Sequence, residues 1–143
     1  MIDRVFFDTN IIVYLFDTSE PAKRKKIIKL VESLSTTTKL FISSQVLNEF
    51  INVVMNKIEK RLKAKEIVER IKFLEDIFNI TPLSYPTSLH ALNITDRYKY
   101  SFWDSLILSS AIENECNILI TEDMQHGQII EEQLKILNPF KKI

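Results

Sequence analysis

Short apolar runs of strand length alternate along this chain with longer stretches whose apolar residues recur at helical spacing. Val5-Phe6-Phe7, within a first strand from Arg4 to Asp8, leads into a short apolar helix from Asn10 to Phe16. Asp17, Thr18 and Ser19 are turn and cap residues, and Pro21 suits the first turn of a second helix reaching about Leu34. Ile27, Ile28, Leu30, Val31 and Leu34 form its buried stripe, leaving Lys23, Arg24, Lys25, Lys26 and Lys29 on the outer face. The run Ser35-Thr36-Thr37-Thr38 separates it from a second strand, Lys39 to Ser43.

A third helix is expected from Ser44 to about Ile58, with Val46, Leu47, Phe50, Val53 and Val54 on its core face and Glu49 at the edge of that stripe. A fourth, from about Ala64 to Phe78, repeats Ile67, Val68, Ile71, Phe73, Leu74, Ile77 and Phe78; it carries no candidate chemistry and reads as a lid or dimer face. Ile80 to Leu83 is a short strand or extended connection, and Pro86 opens a helix to about Arg97. After a loop from Tyr98 to Phe102, a helix carries Asp104 and runs to about Asn114. Asn117 to Ile120 is the next strand, and Gln133 to Asn138 a last one stopped by Pro139. Strands separated by helices pair in parallel, because a parallel crossover needs a dozen or more residues. The fold class expected is therefore α/β, a three-layer α/β/α sandwich on a mainly parallel sheet with a helical insertion in the middle.

Composition narrows the classes. With 143 residues and 45% hydrophobic content, one domain over residues 1–143 with one core is expected. Nineteen basic residues balance nineteen acidic ones, so nothing in the bulk charge advertises nucleic acid, and any polyanion has to be met locally or through metal. A single glycine, Gly127, argues against a glycine-rich phosphate loop and a turn-rich all-β fold. The lone cysteine, Cys116, has no partner for an internal disulfide and suits a reducing compartment. No signal peptide or apolar run of membrane length is present, and a cytoplasmic protein is expected.

Four acids stand out against this background: Asp8, Glu49, Asp104 and Asp123 each fall where a strand hands over to a helix or in the first turns of that helix. In an open α/β sheet, ligands bind in the crevice outside the carboxyl ends of the strands. Two carboxylates about 4 Å apart repel by about 4 kcal/mol at an effective dielectric near 20, so four in one crevice call for cations or protons. Magnesium or manganese suits such oxygen ligands, and two ions can activate a water and stabilise the leaving oxygen of a phosphodiester. Each acid also has a structural reading. Asp104 completes a capping-box spacing with Ser101, Asp8 can cap the helix after it, Asp123 can be a loop acid, and Glu49 a solvated helix residue. Four separate caps, however, do not require four acids.

The segments Val5-Phe6-Phe7-Asp8-Thr9-Asn10, Ser44 through Asn48-Glu49-Phe50, Ser101-Phe102-Trp103-Asp104-Ser105-Leu106 and Ile120-Thr121-Glu122-Asp123 resemble, in order, the four signature motifs of PIN-domain nucleases. Within that family the chain most resembles the VapC toxins of prokaryotic toxin–antitoxin pairs, over essentially its whole length. The resemblance implies a Mg²⁺- or Mn²⁺-dependent endoribonuclease with Asp8, Glu49, Asp104 and Asp123 as the acidic, metal-binding quartet. It gives Thr9, Asn10 and Thr121 supporting roles. It further implies a homodimer, a VapB-like antitoxin that inserts into the active-site groove, and structured RNA such as transfer RNA as substrate. Many PIN domains carry a further acid two positions beyond the last motif residue; this chain has Gln125, so Asp123 serves alone.

Other residues have two readings. Lys23 and Arg24 belong to a basic run that is a phosphate contact or a solvated helix face, and Arg97, Tyr98 and Tyr100 are groove-edge RNA contacts or loop residues. Asp17 reads as a turn acid, and His126 as a loop residue or an imidazole near the phosphate. Trp103 is expected in the core under its helix start, with base stacking the alternative. A non-catalytic Mg²⁺-binding regulatory module and a solitary PIN nuclease in RNA processing are the competing functions. A haloacid-dehalogenase-type phosphatase would need Asp where Asn10 stands.

Overall fold

In the computed structural model, which describes residues 3–57 and 61–141, the expected alternation of strands and helices is present. Strand β1 (Arg4–Phe7) leads to α1 (Thr9–Tyr14) and α2 (Pro21–Ser35), then β2 (Lys39–Ser43), α3 (Ser44–Asn56) and α4 (Ala64–Ile77). Next come β3 (Asn79–Thr81), α5 (Tyr85–Tyr98), α6 (Phe102–Glu113), β4 (Ile118–Ile120), β5 (Ile129–Ile130) and β6 (Leu134–Leu137). The expected end of α3 at Ile58 lies outside the described residues.

The strands form one sheet in the order β3-β2-β1-β4-β6-β5, parallel except for the antiparallel β5–β6 pair. Starting at β1, the chain steps outward through β2 to β3, then returns through α5 and α6 to place β4 on the other side of β1. Right-handed crossovers put helices of the outward and return paths on opposite faces, giving the three layers. Because the connections after β1 and β4 leave in opposite directions, a crevice opens between the carboxyl ends of those two strands.

Buried apolar residues from both faces of the central strands, including Phe6, Phe7, Ile42 and Leu119, pack against Ile12, Ile27, Phe50, Val54, Leu74 and Leu108 of the helices. Helix α6 is buried from Ser105 through Ala111. Its small residues let α5 approach, and their polar atoms are paired: Thr95 Oγ1 donates to Ser105 Oγ at 2.8 Å and Ser109 Oγ to the Thr87 carbonyl at 2.8 Å. Cys116 is buried at the entry to β4. Among the described residues, no helix is long and apolar enough to cross a membrane.

The structure shows how α4 docks and corrects two readings, the length of the last strand and the outer-face placement of Lys23 and Arg24. Val68 and Phe73 of α4 are about half exposed, at 50% and 49%, because α4 meets the body along the narrower line of Ile67 and Leu74. The last strand is shorter than Gln133 to Asn138, and Ile129–Ile130 pairs with it as a hairpin strand too brief to show a period of two. Lys23 and Arg24 are not purely outer-face residues: Arg24 Nε donates to the Leu15 carbonyl at 3.1 Å, and Lys23 Nζ donates to Glu122 at 2.6 Å.

Candidate active site

Parallel register brings the first and last acid segments together. Phe7 pairs with Ile120, so the next residues on each strand, Asp8 and Thr121, are neighbours where the sheet ends. Asp8 is the N-cap of α1, and its Oδ1 accepts from the Thr9 N–H at 2.7 Å while Oδ2 accepts from the Thr121 hydroxyl at 2.8 Å. Glu49 stands one and a half turns into α3 and accepts from Thr9 Oγ1 at 2.6 Å. The exposed Asp123 accepts from Asn10 Nδ2 at 2.8 Å, and Asn10 Oδ1 accepts in turn from the Glu122 N–H at 3.3 Å. Thr9 and Asn10 therefore tie Asp8 to acids more than forty and a hundred residues away in sequence.

Asp104 lies in the first turn of α6. Ser101 is the N-cap, and its hydroxyl accepts from the Asp104 N–H at 3.1 Å, so the cap uses the main chain of Asp104 and leaves the carboxylate facing the crevice. Asp8, Glu49, Asp104 and Asp123 all line one pocket of about 540 Å³. Thr9, Asn10, Asp17, Gln45, Asn52, Lys57 and Trp103 contribute to its walls.

The electrostatics of this pocket favour a counter-charge. Burial raises the Asp8 carboxyl to about 6, with the charges of Asp104 and Glu49 adding to the rise and the hydrogen bonds from Thr121 and Thr9 opposing it. Asp104 is also raised, first by burial and then by Asp123 and Glu49, against a weaker pull from the Ser101 hydroxyl. Among the described residues no three acidic, histidine or cysteine side chains converge into a ready-made metal cage. Asp8, Glu49 and Asp123 are each held by a hydroxyl, amide or main-chain donor. Their donor set is all oxygen, which suits a hard divalent cation such as Mg²⁺ or Mn²⁺.

Several expected contacts lie away from this pocket. Lys23 is paired with Glu122 and hydrogen-bonded to Tyr14 Oη at 3.2 Å. Arg24 faces a separate groove of about 640 Å³ between α2 and α4, where Phe73 also lies. Arg97 stacks over the Tyr98 ring, with its guanidinium carbon 5.1 Å from the ring centre. Tyr98 Oη accepts from the Glu131 N–H, while Tyr100 Oη donates to Gln128 and accepts from the Gln125 N–H. His126 Nδ1 accepts from the Asn138 N–H at 2.9 Å, a loop-fixing role. Asp17 accepts from the N–H and hydroxyl of Ser19, the expected turn role, and its side also borders the acid pocket.

Trp103 departs from expectation most clearly. It is 63% exposed at the pocket rim rather than buried under α6. Gln45, Asn52 and Lys57 are pocket residues that motif reasoning passed over. For Gln45 and Asn52 the signal lay in the spacing 45, 49, 52, which keeps both on the Glu49 face of one helix.

Comparisons with known proteins bear on the fold and the family. Similar solved structures include VapBC2 from Rickettsia felis bound to a promoter DNA fragment, with 20% identity, 93% of this chain and 96% of that chain covered, and a TM-score of 0.69. A toxin–antitoxin complex from Klebsiella pneumoniae matches with 21% identity, 96% and 99% coverage and a TM-score of 0.70. The sarcin–ricin-loop-cleaving toxin VapC20 of Mycobacterium tuberculosis matches with 15% identity, 80% and 86% coverage and a TM-score of 0.64. At these identities the likeness is one of fold. No curated protein matches. The PIN domain family model matches residues 5–131, a span holding Asp8, Glu49, Asp104 and Asp123, and the chain belongs to the PIN-domain family.

Proposed function

We propose that this chain, as one nuclease domain over residues 1–143, is a metal-dependent endoribonuclease and the VapC-type toxin of a toxin–antitoxin pair. The observation that carries the reading is the convergence of Asp8, Glu49, Asp104 and Asp123 on one pocket at the switch point of the sheet. Family membership and the fold shared with toxin–antitoxin structures support it. The substrate is RNA, the inhibitor a VapB-like antitoxin, the working form a cytoplasmic homodimer.

In this reading the four carboxylates hold Mg²⁺ or Mn²⁺, Asp8 and Asp104 being the central ligands because they are the acids whose charge the protein disfavours most. A divalent cation supplies charge neutralisation and lowers the pKa of water for attack on a phosphodiester. Thr9 and Thr121 orient Glu49 and Asp8 by donating to one oxygen of each. Asn10 bridges Asp123 to the main chain of its own loop, fixing the most exposed acid.

The test is cleavage of RNA by purified protein with Mg²⁺, Mn²⁺ or EDTA, beside Asp8→Asn and Asp104→Asn. Cleavage that needs the cation and is lost in both variants is expected. A parent inert with every divalent ion, or variants as active as the parent, would sink the nuclease reading. For the toxin role, a small upstream reading frame encoding a DNA-binding antitoxin is expected beside the gene.

A further inference from the structure

The acid pocket does not end at the acids. A second pocket of about 430 Å³, lined by Ser44, Gln45, Asn48, Glu49, Leu83 and Trp103, shares Gln45, Glu49 and Trp103 with it. Together the two make a groove that passes from the carboxylates along the start of α3, with the indole of Trp103 standing at the junction. The indole is 63% exposed, so one face of a large aromatic ring is open to the groove.

The main chain beneath this indole is held firmly. Gln45, 7% exposed, donates from Nε2 to the Trp103 carbonyl at 3.1 Å and so ties α3 to the first turn of α6. Its Oε1 is buried with no hydrogen-bond partner among the described residues, and the side chain braces the wall shared by both pockets. Phe102 meets the indole edge to face, with ring centres 5.5 Å apart, and steadies it from the side. An exposed, braced aromatic one residue from Asp104, beside polar Ser44 and Asn48, is the chemistry of a base-stacking platform.

We propose that Trp103 stacks a nucleobase of a single-stranded RNA segment next to the scissile phosphate, with Asn48 reading polar groups of that nucleotide. This rests on the nuclease reading of the adjoining acids and adds a nucleotide subsite to it. The subsite selects RNA whose strand is unpaired at this step, because a base stacked in a duplex offers no free face.

Trp103 is the single tryptophan of the chain, so its emission reports on this subsite alone. The experiment titrates parent protein, with Ca²⁺ in place of Mg²⁺, with a mixed-sequence 12-nucleotide single-stranded RNA and with the same strand carrying abasic positions. Quenching by the intact RNA, lost with the abasic strand, is expected. With binding read by anisotropy of the same RNA carrying a fluorescein end label, Trp103→Ala should bind about tenfold or more weaker, and Trp103→Phe should recover part of the loss. Emission unchanged by RNA, with Trp103→Ala cutting at the parental KM, overturns the subsite while leaving the nuclease intact. Quenching by RNA in a protein that cuts nothing supports the subsite and fails the nuclease reading. Emission that follows protein concentration and not RNA would mean a second copy covers the indole, which overturns the proposal. If Trp103→Ala does not fold, the parental titration and Trp103→Phe decide.

Discussion

The Thr121 hydroxyl donates to Asp8 Oδ2 at 2.8 Å, joining the ends of β1 and β4 across 113 residues of sequence. The same hydroxyl accepts from the Asp123 N–H at 3.3 Å, so one small side chain shapes both a buried ligand and the loop bearing an exposed one. Thr121→Val keeps the volume and removes both bonds. We expect it to cost about 1–3 kcal/mol of stability by leaving a buried carboxylate short of a donor. It should also weaken Mn²⁺ binding by isothermal titration. Unchanged melting and unchanged Mn²⁺ affinity would count against this role.

Asp8 opposes folding when charged. Its carboxyl is raised from 3.8 to about 6 in the folded protein, so between those values the folded state binds more protons than the unfolded one. Stability without metal should therefore fall as pH rises from about 4 to about 6, by up to about 3 kcal/mol, and stay lower above it. Asp8→Asn should melt higher than the parent at pH 7 in EDTA, yet gain nothing from Mg²⁺. A variant that melts lower in EDTA would show that the carboxylate is not under electrostatic stress.

The same shift sets a pH dependence on activity. Ligation needs the charged form of Asp8, so cleavage should rise with pH through about 6. Because a cation competes with the proton, higher Mg²⁺ should move that rise to lower pH. A profile that is flat from pH 5 to 8 at low Mg²⁺ would contradict it.

Thr9 Oγ1 fixes Glu49 from another helix at 2.6 Å. Thr9→Val should leave the melting temperature within a few degrees of the parent, because the contact is half-buried, while raising the Mg²⁺ concentration needed for half-maximal cleavage several-fold. Thr9→Ser should restore it.

Cys116 is fully buried, and burial raises its thiol to about 12. It should resist Ellman's reagent in the folded protein and react only on unfolding. Rapid reaction in native buffer would place the thiol at the surface.

Much of the architecture was legible because it rests on local chemistry. Apolar runs such as Val5-Phe6-Phe7 and Leu40-Phe41-Ile42 are buried on both faces, as parallel strands between helices require, and β2 begins and ends where its pattern does. Asp8, Glu49, Asp104 and Asp123 were legible as a set because each follows a strand end or lies in the first turns of a helix. Trp103 was misread because its place at a helix start does not say how wide a strip of that helix is covered. Lys23 shows the converse. Its membership of a basic run suggested solvent, whereas Glu122, 99 residues away, draws it inward.

The sequence by itself determined most of the elements, their order and the four motif acids of the pocket, since periodicity, caps and residue chemistry act over a few neighbouring positions. Only the tertiary structure decided which acids are stressed and which hydroxyl holds which carboxylate. It also decided that the groove runs on past Trp103. Those are consequences of strand register and helix docking, where burial and distance set the energies, and neither can be read from spacing along a chain.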